Sequence, residues 1–273
     1  MKFLKKKGLW FTVYGIFITL VFLYLLFPGE LVKSRLEDSI NVSGFMVKSA
    51  SLHPALPLGI KLKNVTISSQ ALDFVLFQGE LLDLQLNLLS FFRKNTYIGL
   101  TGLAYDGSFD GRVGLVSFAK VYPPVEVILN FENIDIGKYS LFKGEPGKSF
   151  TGRARGTLTY GTDESSRSAS GTLTLFFKKG SYPLTEPFLG MTRIDFDRGE
   201  IQAQMKNGIF KLEKIEIFGQ QINCFLKGEI TPAADFRNSQ LNLNGMIEIL
   251  GKDKVIMKVM IGGTLANPAI RYI

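Results

Sequence analysis

Leu82-Asp83-Leu84-Gln85-Leu86-Asn87-Leu88 places an apolar side chain at every second position. Successive side chains of a strand point to opposite faces, so this period marks a strand that is greasy on one side and wet on the other. The same alternation returns in Val125, Val127, Leu129 and Phe131, and again in Leu173, Leu175 and Phe177. It continues through Ile215 and Ile217, then Leu241, Leu243, Ile247 and Ile249, and finally Val255, Met257, Val259 and Ile261. Glycine punctuates these runs: Asp106-Gly107, Asp110-Gly111, Lys179-Gly180 and Asn207-Gly208 read as turn signals between strands. From Phe45 onward the pattern predicts roughly twelve to fifteen short strands, joined mostly as hairpins and therefore antiparallel.

Helical pattern is scarce in this part. Residues 134–142 could make about two turns and 183–190 one or two. Residues 52–57, which hold His53 and Pro54, read as a turn, and 143–149 and 162–168 as loops. The segment 143–149 is a candidate division of the β region into two halves of similar style. No fixed period carries residue identity from one half to the other.

Ahead of the strands lies a different chemistry. Residues 8–27 hold no charged side chain, and Lys2, Lys5, Lys6 and Lys7 stand directly before them. At ~1.5 Å per residue a helix of that length spans ~30 Å, the thickness of a bilayer's hydrocarbon core. The expectation is a transmembrane helix with a cytoplasmic N-terminus, the lysines meeting anionic lipid headgroups. Trp10, Tyr14, Tyr24 and Phe27 are its candidate anchoring aromatics, since such rings favour the interface. A cleaved signal peptide is the rival reading; it would have a shorter apolar run ending in small residues, whereas this run ends in Leu25-Leu26-Phe27-Pro28. Beyond Pro28, Val32, Leu36 and Ile40 form one stripe of a short helix over residues 30–40. That stripe either docks on the first strands or lies on the membrane surface. The layout is thus a basic tail (1–7), a transmembrane helix (8–27), an amphipathic connector (28–43) and a β domain (44–273) on the far side of the membrane.

Composition narrows the function classes. The chain has 273 residues and a formal charge of +8, but four of its 32 Lys and Arg precede the apolar run, leaving 28 against 24 acidic residues. So small an excess, spread along strands, is no nucleic-acid footprint. One cysteine, Cys224, excludes an intramolecular disulfide, and its apolar, alternating surroundings suit a small buried hydrophobe. One histidine, His53, leaves no His-based metal site. Gly144-Glu145-Pro146-Gly147-Lys148-Ser149 lacks the glycine spacing of a phosphate loop. Arg193, Asp195 and Asp197 share one side of a strand, where opposite charges pair in water. No catalytic, metal or cofactor residues are assigned, and the chain reads as a non-enzyme.

A sheet with one apolar face must bury it: against a second sheet, by bending on itself, or against lipid. Leu84, Leu86, Leu173, Leu175, Ile215, Ile217, Leu241 and Leu243 are the candidate lining of a lipid groove, and an ordinary protein core is the alternative. Each methylene buried contributes ~0.8 kcal/mol, so a shallow apolar trough suffices to hold an acyl chain.

Three segments together carry a resemblance. They are the lysine-flanked apolar run with its following helix (Leu31, Val32, Leu36, Ile40), the stretch from Leu52 through Gly59-Ile60-Lys61-Leu62-Lys63-Asn64 to Ile67, and the closing Ile261-Gly262-Gly263-Thr264-Leu265-Ala266-Asn267-Pro268-Ala269-Ile270. This layout resembles the type II secretion system protein N (GspN) family and, more broadly, the AsmA-like envelope proteins. The resemblance implies a bacterial inner-membrane protein whose periplasmic domain is a curled antiparallel β-sheet, open as a groove or closed as a sandwich. It further implies action by binding, with other secretion-system subunits or phospholipid as partners. The alternative it carries is AsmA-like phospholipid transfer in outer-membrane maintenance.

Overall fold

The computed structural model describes residues 2–41, 45–69, 75–87, 95–116, 124–139, 150–163, 168–188, 191–233, 238–251 and 254–272. Two helices open the chain, α1 (Lys2–Leu25) and α2 (Gly29–Asn41). Fifteen strands follow: β1 (Phe45–Lys48), β2 (Ser51–Ala55), β3 (Gly59–Ser69), β4 (Val75–Leu86), β5 (Thr96–Ala104), β6 (Gly107–Leu115), β7 (Glu126–Asp135), β8 (Thr151–Asp163), β9 (Ser168–Phe188), β10 (Met191–Lys206), β11 (Ile209–Phe218), β12 (Ile222–Thr231), β13 (Gln240–Ile249), β14 (Val255–Gly263) and β15 (Pro268–Tyr272). All belong to one antiparallel sheet in chain order, with β1 and β2 together forming the strand beside β3. No ladder joins β15 back to β1 or β2 among the described residues, so the sheet has two edges. A protein this strand-rich is mainly β, and the strand expectation reached the observed number at its upper bound.

Local chemistry explains the connections. Tyr105 and Asp106 both have positive φ (52° and 57°), as do Asn207 and Gly208 (52° and 77°), the signature of a two-residue turn whose twist matches its strands. Asp110-Gly111 and Lys179-Gly180, expected as turns, lie inside β6 and β9. At the second, Thr151 pairs with Ser181 and Arg153 with Lys178, so the extra residues form a bulge, with Lys179 at φ 36°. Of residues 183–190, expected to be helical, 183–188 continue β9, because pairing with β10 outweighs a weak local helical preference, and 189–190 lie outside the described residues. The expected helix over 134–142 shrinks to a 3₁₀ turn at Ile136–Lys138, capped by Asp135, whose carboxylate accepts from Gly137 N at 3.0 Å. Residues 140–142 of that expectation, and the loop 143–149, lie outside the described residues; the ladder between β7 and β8 runs from Glu126–Gly161 to Asp135–Arg153 on either side of them. His53 and Pro54, expected in a turn, sit in β2 opposite Lys61 and Ile60. Proline is tolerated there because an edge strand has no outer ladder to donate to.

A buried core lies at the N-terminal end. Val47, Leu52, Leu62 and Val65 are buried together, with Val32 and Leu36 of α2 and Phe27 packed on them. This is the docked-connector outcome for α2. Glu37 reinforces it by accepting from Ser49 N at 2.9 Å. The side chain of Ile40, third in the expected stripe, is outside the described set.

Candidate functional site

Residues directly opposite in an antiparallel ladder share a face, so the registers can be followed strand by strand across the sheet. One such line runs Ile60, Leu84, Leu100, Gly111, Leu129, Leu158, Leu173, Ala203, Leu212, Gly228, Leu243, Ile261, Ile270. Beside it runs Leu62, Leu82, Gly102, Phe109, Phe131, Gly156, Leu175, Ile201, Ile215, Leu226, Gly245, Val259, Tyr272. Neither line contains a charged side chain. With strands ~4.8 Å apart, twelve intervals make an apolar band ~58 Å long, measured along the sheet. A third line, from Leu86 through Ile98, Val113, Val127, Tyr160, Gly171, Met205, Phe210 and Ile230 to Leu241, widens it. On the reverse side the line Lys61, Asp83, Thr101, Asp110, Asn130, Thr157, Thr174, Gln202, Lys214 is polar throughout.

All eight groove candidates fall on this one apolar face. Leu84, Leu173 and Leu243 occupy the first line, Leu175 and Ile215 the second, and Leu86 and Leu241 the third. Ile217 stands in a fourth, opposite Gly199 and Cys224. They do not converge on a point; they are distributed along the band. Leu84 packs on the core under α2, Leu243 is 7 % exposed, and the other six are half-buried. Such intermediate exposure is what a face gives when its neighbours pack along it and, among the described residues, no complete second layer covers it.

Midway along the band lies a cavity of about 430 Å³, lined by Pro124, Val127, Leu158, Tyr160, Leu173, Ala203, Met205 and Phe210 among others. A volume in this range accommodates a small ligand or a stretch of acyl chain. Only Leu173 of the sequence candidates lines it. Leu158 and Tyr160 could have been found from the alternation Thr157-Leu158-Thr159-Tyr160; Met205 and Phe210 flank a turn and broke the pattern. The glycines were also missed, since their apolar-face role is steric. A Cβ on Gly245 would run into the Phe225 carbonyl, and one on Gly156 into the Thr174 carbonyl, so these positions let adjacent strands approach closely.

Charged side chains lie outside these apolar lines. Cys224 lies on the apolar face, and burial pushes its thiol up to about 11, which keeps it neutral. Arg193 pairs with Asp195 at 3.1 Å, both well exposed, while Glu200 meets Lys214 at 2.9 Å on the polar side. Lys138 donates to Asp106 at 2.6 Å, and that bond holds the Asp106 carboxyl below the usual range. Burial raises Tyr105 and Tyr139. No group of three His, Cys, Asp or Glu side chains suited to a metal ion occurs among the described residues.

At the N-terminus, Trp10, Tyr14 and Tyr24 are exposed on α1, Trp10 by 74 %. Phe27, expected as an anchoring ring, packs on the buried cluster beneath α2. The backbone of Lys2, Lys5, Lys6 and Lys7 is helical; their side chains lie outside the described set. Among the described residues no helix is long and apolar enough to cross a membrane. Leu9, Ile16, Leu20 and Leu23, which complete the uncharged run in the sequence, have side chains outside that set.

Comparison with known protein families, with curated proteins and with solved structures gives no match.

Proposed function

We propose that this protein is a non-enzymatic, membrane-anchored binding protein of the bacterial envelope that holds phospholipid acyl chains against its apolar face. The observation that carries the reading is the uninterrupted apolar band, thirteen strands wide in two adjacent lines, which is half-buried along most of its length. A core of that extent with no complete covering layer among the described residues leaves hydrophobic surface whose burial against methylenes contributes ~0.8 kcal/mol each. Large exposed apolar surfaces mark ligand grooves or interfaces.

The anchor belongs to the same proposal. α1 has 24 residues, ~36 Å at 1.5 Å per residue, and residues 8–25 of it carry no charge. In water its exposed Trp10, Phe11 and Phe17 would be costly, and in lipid they are at home. With Lys2, Lys5, Lys6 and Lys7 cytoplasmic, the sheet lies in the periplasm. The resemblance to the GspN family supports a setting in the type II secretion apparatus. AsmA-like lipid transfer in outer-membrane maintenance is the same binding put to another use.

A photoreactive amino acid at Leu173 of the full chain, in cells grown with radiolabelled phosphate, should yield a phospholipid adduct. The same residue at Thr174, on the reverse face, should not. Equal labelling at both positions, or none at Leu173, would overturn the lipid reading. Crosslinked secretion subunits would support the first physiological setting, and their absence the second.

A further inference from the structure

The polar side of the sheet changes character along its length. From β3 to β8 it reads Lys61, Asp83, Thr101, Asp110, Asn130 and Thr157. Further on, the ladder line Phe176, Glu200, Glu216, Phe225, Met246, Lys258 crosses β9 to β14. The adjacent line carries Phe218 on β11 and Ile256 on β14. Phe218 and Phe225 meet edge to face at 5.4 Å, while Phe176, Met246 and Ile256 are 38 %, 41 % and 56 % exposed. Apolar surface thus stands on the side that cannot reach the lipid band.

Its charges are unevenly matched. Glu200 and Glu216 both bind Lys214, at 2.9 and 3.1 Å, and Glu248 binds Lys254 at 2.9 Å. Arg155, Lys178, Arg198 and Lys258 make no ion pair among the described residues. Two of these cations lie over aromatic rings, Arg198 at 4.4 Å from the Phe218 centroid and Arg155 at 5.6 Å from that of Phe176. Aromatic, Met and Arg side chains are the types enriched at protein interfaces, and unspent cations select a partner of opposite sign.

We infer that this surface docks an acidic, amphipathic segment of a partner protein. An anionic membrane surface fits it less well. The apolar groups stand at sheet level, on β9 to β14, and not on a projecting tip that could enter a bilayer. The partner's carboxylates would meet Arg198 and Lys258, while its apolar side covers Phe225, Met246 and Ile256.

The test uses the full-length protein in nanodiscs of neutral lipid and a fluorescent synthetic peptide alternating Glu and Leu. Saturable binding that weakens at least tenfold between 0.1 and 1 M salt is expected, because screening shortens from ~10 to ~3 Å over that range. A double variant R198E/K258E should lose at least tenfold in affinity, and M246S should lose a smaller factor. T101E, on the distant polar stretch, should bind like the parent. A Lys–Leu peptide should not bind. Failure to bind the acidic peptide, or indifference to R198E/K258E, overturns the inference; flotation with phosphatidylglycerol vesicles in that case assigns the surface to membrane. Because the lipid band is on the other face, this outcome and that of the Leu173 crosslink are independent.

Discussion

The contrast between Leu62 and Leu173 tests whether the apolar band is closed at one end and open in the middle. Leu62 is 2 % exposed and packed among Val47, Leu52 and Val65 with α2 laid over them. Leu62→Ala removes three carbons from this site, ~2.4 kcal/mol at ~0.8 per methylene, and the unfilled space brings the total to ~3–4 kcal/mol. Leu173 is half-buried and already borders the 430 Å³ cavity. Its truncation strips contacts from one side only, and about 1 kcal/mol is expected. For a domain of this size each kcal/mol moves the melting temperature by ~2–4 °C, so the expected falls are ~6–16 °C for Leu62→Ala and ~2–4 °C for Leu173→Ala. Thermal unfolding followed by far-UV circular dichroism, on full-length protein stripped of lipid in detergent, reads both. Added phospholipid should then raise the midpoint of the parent more than that of Leu173→Ala, since binding to the native state alone stabilises it. Equal losses at the two positions would mean that Leu173 sits in an ordinary closed core, and the open-band reasoning would fail.

Other consequences can be measured separately. Gly245→Val should destabilise by ~1–3 kcal/mol in urea titrations, because its side chain would meet the Phe225 carbonyl, whereas Gly262→Ala, whose nearest neighbour would be the Leu241 carbonyl at 3.9 Å, should be nearly silent. Burial raises the Cys224 thiol to about 11, so at pH 8 it should react with maleimide ~100-fold slower than an ordinary exposed thiol, gaining about tenfold per pH unit; rapid labelling of native protein would contradict its placement. Lys138→Gln should raise the Asp106 titration midpoint, read by carboxyl NMR, toward its ordinary value. Because the folded Asp106 value is depressed, the pair favours folding above the ordinary carboxyl range and loses that effect as pH falls through the lowered midpoint. An unchanged midpoint would show that Lys138 is not its partner in solution.

Within an unbulged run alternation decided which side each residue takes, because a strand's period is two until an extra residue shifts it. That is why Leu84, Leu86, Leu173, Leu175, Ile215, Ile217, Leu241 and Leu243 could be placed on one face before any register was known, and why α2 could be expected from the spacing of Val32 and Leu36. Alternation carries nothing about which strand lies beside which, or in what alignment. Only the tertiary structure made a single sheet of fifteen strands, brought the apolar positions into unbroken lines, and placed the cavity where Leu158, Leu173, Met205 and Phe210 meet. The same limit explains the local misreadings. Gly111 and Gly180 resemble turn glycines in isolation, yet each is needed where a neighbouring backbone or ring approaches too closely for a side chain, and residues 183–188 became strand because β10 was there to pair with. Side-chain direction is set within a few bonds; register and close approach are set by partners distant in the chain, and these the linear pattern does not encode.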